Sequence, residues 1–561
     1  MSNRYQNSVK GFLHADGRRI VNETGETVIL RGYGAGNWMN PEGFMIGGTT
    51  AFPGEYNQPK KLDRVRSMDL LIRELCGTEY AKSFWPRWYR NFMQEEDIKL
   101  MAELGYNSVR LVLDSSAFLR EEPGYQWNED TFSMLDNVLI WCEKYRVYAI
   151  LDMHTMPGGQ SCGGCDNAVD NQPHLFYDEE SDERAIVLWE EFARRYRDYW
   201  IVAGYDLMNE PLNNPPSLKY TGELINFYDR LIERIRKIDQ NHLLIVEGTI
   251  WSTQVSIFTH NYDPYCNNWC IQVHIYGFVP EMAELYGMLE RSLTLNVPIW
   301  MGEGGNGFEE NSLFLDTIAK ENVGFCLWVW KSAARQGFPD DGMHTEQYQL
   351  PKDWDMVYKY ANEGGPRPSY AHAQQIFDEY LENLKFEHCK HGELIHKYNL
   401  RQPGISIPAV GYDHGRNGCE FKGDWYYGNA YNYRIEDRTK LVVKPDGYRP
   451  GPKAVWAFSG QTGFGKGPNA IKNLWLEMSD GEYVHYSVYD VKDHCDVRLS
   501  LRSMRDSVIR VSCGDLSGEF GIPASEETAV IHTLTLPAGD EYSLKVEVLS
   551  GSVQFDRVYF D

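Results

Sequence analysis

Two glutamates, Glu210 and Glu303, each end a short apolar run rich in β-forming residues. Cleavage of an acetal needs one acid that protonates the leaving oxygen and a second group that stabilises or traps the positively charged carbon. A pair of carboxylates can divide that work, with Glu210 as general acid/base and Glu303 as nucleophile. This chemistry requires a fold that brings the two runs together.

The runs that carry the glutamates belong to a series of β-rich segments, and amphipathic, helix-like stretches alternate with them. This alternation is the pattern of βα units around a parallel sheet, and eight such units close a (β/α)₈ TIM barrel. We therefore predict an α/β fold of that class. The eight predicted strands are 28–33, 107–113, 147–154, 202–210, 242–248, 270–276, 297–303 and 323–330.

Polar residues lie near the carboxyl-terminal ends of the predicted strands, where a barrel of this class places its site. Asn209 can bond a sugar hydroxyl, and Trp328 offers a face on which a sugar ring can stack. We expect Arg110, His274 and Tyr276 to surround Glu303 with hydrogen-bond donors and positive charge. The predicted substrate-binding residues are Arg110, His154, Asn209, His274, Tyr276, Trp328 and Trp38.

Long connections follow the first and the eighth predicted strands, at residues 34–94 and 331–369, and both start at the end of the barrel that should hold the site. The first is rich in aromatic residues, which could wall a substrate pocket or form a small subsidiary core. These residues are Trp38, Phe44, Phe52, Tyr56, Trp85, Trp88 and Tyr89.

Cys162 and Cys165 have a metal-like spacing, as do Cys266 and Cys270. The first pair follows a strand and the second precedes one, so the pairs would lie at opposite ends of the barrel and could not share one zinc ion. We interpret them as a loop disulfide or as plain thiols, and the histidine-rich residues 388–396 as a solvated helix end. The sequence therefore predicts no metal and no organic cofactor.

The 561 residues exceed the size at which one core stops growing, which favours two domains. A net charge of −25 provides no basic face for nucleic acid and favours a neutral solute as partner.

No stretch approaches the ~18 apolar residues that span a bilayer. The start of the chain lacks the apolar core of a signal peptide, and the odd number of cysteines fits a reducing compartment, so we expect a cytoplasmic protein. A chain whose signal peptide had been replaced by Met1 would look identical and would be secreted.

The hydrophobic periodicity changes near residue 400, so we predict a catalytic domain at 1–400 and a second domain at 404–561. In the second domain, runs of period two alternate with Gly/Asp/Pro turns, which predicts an antiparallel, jelly-roll-like β-sandwich. Examples of these runs are YVHYSVYDV (483–491), DVRLSLRS (496–503) and YSLKVEV (542–548).

Over residues 10–385 the chain resembles glycoside hydrolase family 5, a family of retaining β-glycosidases on (β/α)₈ barrels. The resemblance implies that Glu210 is the acid/base and Glu303 the nucleophile, and that Arg110, His154, Asn209, His274, Tyr276 and Trp328 form the surrounding subsite. The motifs that carry it are NSVRL (107–111), LDMH (151–154), YDLMNEP (205–211), HIY (274–276), GE (302–303) and LWVWK (327–331).

Residues 404–561 resemble carbohydrate-binding modules of family 6. Such modules carry calcium-binding acidic residues where this chain has Pro408 and Val410, so we expect no calcium and a structural or weakly binding module. An aromatic group, which could form a sugar platform or pack against the barrel, consists of Trp425, Tyr426, Tyr427 and Tyr431. The motifs behind the resemblance are ISIPAVGYDHGRNG (405–418), GEYVHYSV (481–488) and VQFDRVYF (553–560).

The function expected from the sequence is hydrolysis of β-linked glucosides, β-glucan or derived oligosaccharides by double displacement, in a pocket that favours exo action. The alternatives are a β-mannosidase, a β-1,3-glucanase, a glucosylceramide-type glycosidase and a catalytically silent carbohydrate-binding protein. The sequence specifies no oligomeric state.

Overall fold

The computed structural model describes residues 7–49, 61–277, 285–305, 307–334, 345–415, 418, 434, 437–445 and 470–561. Within these ranges, no helix is both long enough and apolar enough to cross a membrane.

Eight parallel strands form a closed barrel in chain order, and the last strand pairs with both the first and the seventh. Their residues are buried almost throughout, as the near-continuous apolar runs require. The predicted TIM barrel is therefore confirmed. Its strands are β1 (Arg31–Gly34), β2 (Ser108–Asp114), β3 (Tyr148–Thr155), β4 (Val202–Asp206), β5 (Leu243–Glu247), β6 (Trp269–Tyr276), β7 (Ile299–Gly305) and β8 (Phe325–Leu327).

Amphipathic helices surround the barrel. In the longest of them, Leu224, Phe227, Leu231 and Ile235 are buried at helical spacing, so one stripe of the helix faces the strands. The helices are α1 (Val65–Cys76), α2 (Thr78–Phe92), α3 (Glu95–Leu104), α4 (Ser115–Phe118), α5 (Glu129–Tyr145), α6 (Glu179–Tyr196), α7 (Ser217–Arg236), α8 (Tyr286–Leu295), α9 (Phe308–Lys320), α10 (Trp354–Glu363), α11 (Tyr370–Asn383) and α12 (Leu394–Leu400).

Short strands flank the barrel. His14–Asp16 pairs with Arg19–Val21 in antiparallel orientation, and Lys331–Ala334 pairs with Glu346–Gln349 in parallel orientation beyond β8.

Buried aromatic residues of the connection after β1 pack into the same hydrophobic core as the barrel, whereas Phe44 is 37% exposed. Trp38 is 1% exposed, and its Nε1 donates to the carbonyl oxygen of Tyr89 at 3.0 Å. Trp88 is also fully buried and donates to the carbonyl oxygen of Asn37 at 2.9 Å. The prediction that Trp38 binds substrate is therefore wrong, because its indole ring is enclosed by packing. Phe52 and Tyr56 lie outside the described residues.

The C-terminal domain is antiparallel and β-rich, as predicted. Its described strands form one continuous sheet in the order β10-β11-β16-β12-β15-β13-β14, and β9 pairs with β16. The strands are β9 (Ile405–Pro408), β10 (Lys440–Val443), β11 (Leu474–Ser479), β12 (Tyr483–Ser503), β13 (Ser507–Cys513), β14 (Leu516–Ile522), β15 (Ser525–Ser550) and β16 (Ser552–Phe560).

The sheet bends over its own core. A straight strand as long as β12 would span roughly 70 Å, yet Tyr486 near its start and Leu499 near its end belong to the same buried cluster. The pairing of β12 with β15 shifts register between Val491 and His494, where the strand turns. The layers of the predicted sandwich thus arise from a single folded sheet.

A buried polar network joins the C-terminal domain to the barrel. Arg401 donates to Asp316 of α9 at 2.8 Å and to Asp413 at 2.9 Å, and the Tyr489 hydroxyl also donates to Asp316, at 2.7 Å. Although burial opposes ionisation, Arg401 and Lys320 hold the pKa of Asp316 well below its ordinary value. The network contains no buried charge without a partner of opposite sign.

The described contacts of the second domain with the barrel include one at the end opposite the mouth. The guanidinium of Arg31, the first residue of β1, lies 5.7 Å from the ring centroid of Tyr489. This contact is at the amino-terminal end of a barrel strand, whereas Glu210 and Glu303 lie at carboxyl-terminal ends.

We predict that Arg401→Met lowers the free energy of unfolding by about 3–5 kcal/mol, because it leaves two buried carboxylates without their guanidinium partner. Urea denaturation of the full chain measures this. Arg498→Met is the control, because Arg498 pairs with Asp561 on the surface and its loss should not change the midpoint measurably. Equal midpoints for both variants would contradict a structural role for the network.

Candidate active site

Arg110 of β2 lies at the centre of the site and is completely buried inside the barrel. Its Nη1 donates to Glu303 Oε1 at 2.7 Å, and its Nε donates to Asp206 Oδ2 at 2.7 Å. Its Nη2 lies 3.0 Å from carboxylate oxygens of both Glu247 and Asp152. One guanidinium therefore faces four buried carboxyl groups that end or line β3, β4, β5 and β7.

The acidic partners of Arg110 titrate differently. Burial raises the pKa of Asp152 and of Asp206, although Arg110 opposes the shift. The pKa of Glu247 is lowered, because His274 and Arg110 outweigh the effect of burial. The cations thus favour negative charge at Glu247 over the two aspartates.

Glu303 at the end of β7 is held at both carboxylate oxygens. Oε1 accepts from Arg110, and Oε2 accepts from the Tyr276 hydroxyl at 2.8 Å. The two donors fix the plane of the carboxylate and stabilise its negative charge, as a nucleophile requires. The ring of Tyr276 is 48% exposed although its hydroxyl reaches inward.

Glu210 lies against the imidazole ring of His274, with 2.8 Å between Oε1 and Nδ1. The same Nδ1 is 3.6 Å from Glu303 Oε2. One carboxylate oxygen of each glutamate and a ring nitrogen of His274 all lie within 4.8 Å of one another. The two predicted catalytic carboxylates are thus adjacent, with His274 between them.

His274 is a source of positive charge in the site. Burial opposes its protonation, but the carboxylates of Glu303, Glu247 and Glu210 outweigh burial and raise its pKa well above the ordinary value. The three groups are also close enough to surround a metal ion. The ion would have to displace the imidazole proton, because metal ligation requires a neutral ring.

The backbone at Glu210 is strained and is fixed by neighbouring segments. Its φ is 43°, a left-handed value that non-glycine residues adopt rarely. Its N–H donates to Glu247 Oε2 at 2.8 Å. The Gln160 amide, from the loop after β3, donates to the carbonyl oxygens of His154 and Asn209 at 2.8 Å each. These hydrogen bonds stabilise the left-handed backbone conformation of Glu210, which is unfavourable by itself and directs the side chain into the site.

His154 and Asn209 orient each other. His154 Nδ1 is 2.7 Å from Asp152 Oδ2, and its Nε2 is 3.2 Å from Asn209 Nδ2. Burial lowers the pKa of His154 to about 4, so the neutral ring can accept from the Asn209 amide. Asn209 Oδ1 in turn accepts from Arg110 at 2.9 Å. The amide is therefore fixed in one orientation beside Glu210.

Trp328 faces the site, and its ring is parallel to that of His154 at a centroid distance of 5.4 Å. Gly34 and Gly36 make room for it, because a Cβ at either position would lie under 3 Å from atoms of the indole ring. Trp330 is fully buried instead and donates to Asp97 at 2.9 Å. Eight of the nine predicted site residues therefore converge, and Trp38 does not.

Several site residues were not predicted from the sequence. Glu247 ends β5 just as Glu303 ends β7, so the positional criterion could have found it. Asp152 and Asp206 lie within apolar runs, where an unpaired carboxylate is costly. Glu42 has no periodic signal because it lies in the connection after β1. Its Oε1 is 3.9 Å from His154 Nε2, and burial together with Glu303 and Glu210 raises its pKa well above the ordinary value.

The cysteine and histidine motifs have other roles. All ten cysteines in the described part of the chain are free thiols, including both metal-like pairs. The prediction of a solvated helix end at 388–396 is wrong for His396, which is fully buried with its Nδ1 2.9 Å from the Tyr106 hydroxyl. His391 contacts the buried carboxylate of Glu346, whereas His388 is exposed as predicted.

The site has two adjacent carboxylates on one rim of a closed barrel. One carboxylate is held by two hydrogen-bond donors, and the other lies against an imidazole. This arrangement is typical of a glycosidase. The comparisons agree with this class. Residues 72–334 match the cellulase family, glycosyl hydrolase family 5. These residues are therefore similar to the catalytic domain of glycoside hydrolase family 5, and the site and the match together indicate that the chain is a glycosidase. The likeness of residues 404–561 to carbohydrate-binding modules stays a prediction.

Three relatives share parts of the chain. A β-xylosidase of Phanerodontia chrysosporium is 29% identical over 62% of this chain and 68% of its own length. A probable glucan 1,3-β-glucosidase A of Emericella nidulans is 28% identical over 36% of this chain and 53% of its own. Endoglucanase C of Acetivibrio thermocellus is 28% identical over 29% of this chain and 45% of its own. For the last two, this chain spans only about half of the relative.

We predict that His274→Gln destabilises the protein most below pH 6.5. The pKa of His274 is higher in the folded state than in the unfolded state, where it is about 6.5. The stabilisation that the charged imidazole provides is therefore fully present below about pH 6.5. It is lost as the pH rises through the pKa of the folded state. Urea denaturation from pH 6 to pH 10 should therefore show a deficit that narrows at high pH. His260→Gln, at an exposed histidine, is the control. A deficit at His274 that does not change with pH would contradict a charged imidazole.

Proposed function

We propose that the protein hydrolyses β-glycosides with retention of configuration, with Glu303 as nucleophile and Glu210 as acid/base. The observation that supports it is the approach of the two carboxylates to within 4.8 Å. Retaining glycosidases hold their carboxyl groups roughly 5–5.5 Å apart, whereas inverting enzymes separate them by roughly 6.5–9.5 Å to admit water. The short distance leaves no room for a water molecule between an attacking base and the sugar.

In the first step, the carboxylate of Glu303 attacks the anomeric carbon and forms an ester with it. The glycosidic C–O bond breaks, and its electron pair stays on the leaving oxygen, which takes a proton from Glu210. The charged imidazole of His274 donates to Glu210 Oε1, which leaves Oε2 to carry the proton for the leaving oxygen. In the second step, Glu210 takes a proton from water, the hydroxide attacks the anomeric carbon, and Glu303 leaves as a carboxylate.

The carboxylate of Glu303 favours a cationic transition state. An oxocarbenium-like transition state gains more from this adjacent negative charge than the neutral substrate does. Burial raises the pKa values of Glu42, Asp152 and Asp206, so these three carboxyl groups add less negative charge to the site.

We propose a β-linked glucoside or xyloside as substrate, since two relatives are named as a β-xylosidase and a probable glucan 1,3-β-glucosidase. The two sugar types share the equatorial 2-hydroxyl that the amide of Asn209 would bond. We further propose exo action, because the Asn40 amide donates to the Cys165 carbonyl oxygen at 3.0 Å. This bond connects the segment after β1 to the loop after β3 and closes one side of a cleft.

Trp251 is the proposed platform for the leaving group. It lies in the turn Thr249–Ser252 after β5, where three consecutive residues, 250–252, have φ between 52° and 56°. The N–H of Trp251 donates to Asn213 Oδ1 at 3.0 Å, and the N–H of Ile250 donates to the Leu212 carbonyl oxygen at 3.2 Å. The turn is thus attached to the segment that follows Glu210, and it leaves the indole ring 40% exposed on the acid/base side.

We predict that Glu303→Gln lowers kcat on all aryl β-glycosides by about 10⁴-fold or more, because no covalent intermediate can form. Glu210→Gln should lower kcat/KM by about 10²–10⁴-fold for substrates with a poor leaving group. The same Glu210→Gln substitution should lower the rate of the glycosylation step much less for dinitrophenyl glycosides, because the dinitrophenolate leaving group needs no proton.

Steady-state kinetics over a series of leaving groups separates these roles. Glu382→Gln, at an exposed carboxylate remote from the rim, should match the wild type throughout. Equal losses at both sites for every leaving group would show that the two roles are assigned wrongly.

We predict that Trp251→Ala raises KM for disaccharides by about 2–10-fold, the amount expected for a lost stacking contact, and changes kcat less. Tyr265→Ala is the matched control, because Tyr265 is 60% exposed but precedes β6 at the opposite end of the barrel. If both variants behave as the wild type does, Trp251 is not part of the leaving-group site.

A further inference from the structure

A second cavity, of about 320 Å³, lies on the same end of the barrel as Glu210. Ser115 and Ser116, which line it, directly follow the last residue of β2, and Met156 directly follows the last residue of β3. The loop 159–168 separates the cavity from the catalytic carboxylates. Gln160 of this loop bonds the Asn209 carbonyl oxygen on the catalytic side, whereas Asn167 and Ala168 line the cavity on the other side.

The charged groups on the cavity wall occur in pairs. Arg66 donates through both terminal nitrogens to the carboxylate of Glu121. His174 Nε2 is 3.0 Å from Asp170 Oδ1. Arg66 offsets the charge of Glu121, so the wall has no excess positive charge and does not favour an anion. Its serine, asparagine and charged side chains include both donors and acceptors, as a polyhydroxylated ligand requires.

Three serine hydroxyls and two apolar side chains complete the wall. The Ser116 and Ser181 hydroxyls donate to Asp114 and Asp178, so each oxygen can accept from a ligand hydroxyl. Val169, which is largely exposed, offers apolar surface to the C–H face of a sugar ring, and the buried Met156 lies at the base of the wall. Small-molecule sites combine apolar walls with a few convergent polar groups in this way.

The cavity is held open by buried polar contacts. The Ala168 N–H donates to Asp166 Oδ1 at 3.0 Å, and its carbonyl oxygen accepts from Arg64 Nη1 at 3.0 Å. Arg64 and Asp166 are 1% exposed or less. Arg66 Nε donates to the Asn167 carbonyl oxygen at 3.1 Å. A wall fixed in this way costs little ordering entropy when a ligand binds.

We propose that this cavity is an accessory subsite for one neutral sugar unit of the substrate, away from the bond that is cleaved. Its volume lies at the lower end of the ~300–1,000 Å³ of small-molecule sites, which suits one small unit rather than a long chain. The assignment rests on the proposed glycosidase function for the identity of the ligand. The cavity itself is independent of that function.

The test fills the cavity without touching the catalytic residues. Val169 is 65% exposed on its wall, so Val169→Phe adds bulk where the backbone need not move. We expect unchanged kcat/KM on aryl monoglycosides, which reach only the catalytic pocket. KM for tri- and tetrasaccharides should rise about 3–10-fold, the value of one or two lost hydrogen bonds. Val530→Phe, at a valine 52% exposed in the C-terminal sheet, is the matched control.

A binding experiment separates this inference from the proposed function. Saturation-transfer NMR of full-length Glu303→Gln with xylobiose or cellobiose should show two sites, one of which disappears when Val169→Phe is added. Asp170→Asn, which keeps the volume but removes a charge, should weaken the same site. A wild type that cleaves no glycoside would refute the function, and the NMR result would still test the cavity. Equal sugar binding with and without Val169→Phe, or binding of inorganic phosphate in place of sugar, would overturn the accessory subsite.

Discussion

The site depends on the contact between one buried guanidinium and the carboxyl groups around it. Arg110 bonds the proposed nucleophile and the amide of Asn209, and it also contacts acidic groups of β3, β4 and β5. A charge cluster buried this deeply is stable only if nearly every charged group has a well-placed partner of opposite sign or a hydrogen bond. The positions of four strand ends are therefore coupled through a single side chain, and the barrel supplies the rigid frame that this coupling needs.

The remaining structure supports that centre from two directions. At the mouth, the Gln160 amide and the left-handed backbone of Glu210 fix the position of the proposed acid/base. At the opposite end, the C-terminal sheet contacts Arg31 and α9 through the network around Arg401. The described part of this domain contacts the barrel at that end, so we propose that it acts mainly as a structural support.

The sequence predicted the barrel, and the structure brings eight of the nine predicted site residues together, because alternating apolar runs and polar strand ends are local signals. It did not predict Asp152 and Asp206. A carboxylate in an apolar run has no evident partner in the sequence, and only the fold brings Arg110 beside these two. Trp38 was assigned to the site because a sequence does not show which face of a loop aromatic is covered. Glu42 was missed for the same reason, since only the folded connection after β1 brings it to His154. The bend of β12 depends on long-range pairing with β15, which no local period reveals.

The most direct test of the account is covalent trapping of the nucleophile. A dinitrophenyl 2-deoxy-2-fluoro-β-glycoside should acylate the enzyme, because fluorine slows both steps and the activated leaving group restores the first. Peptide mass spectrometry should then find one fluoroglycosyl unit on Glu303, and the label should disappear in Glu303→Gln. A label on another residue, or turnover with inversion of configuration and no label, would contradict the central claim that Arg110 and Tyr276 hold Glu303 as the nucleophile.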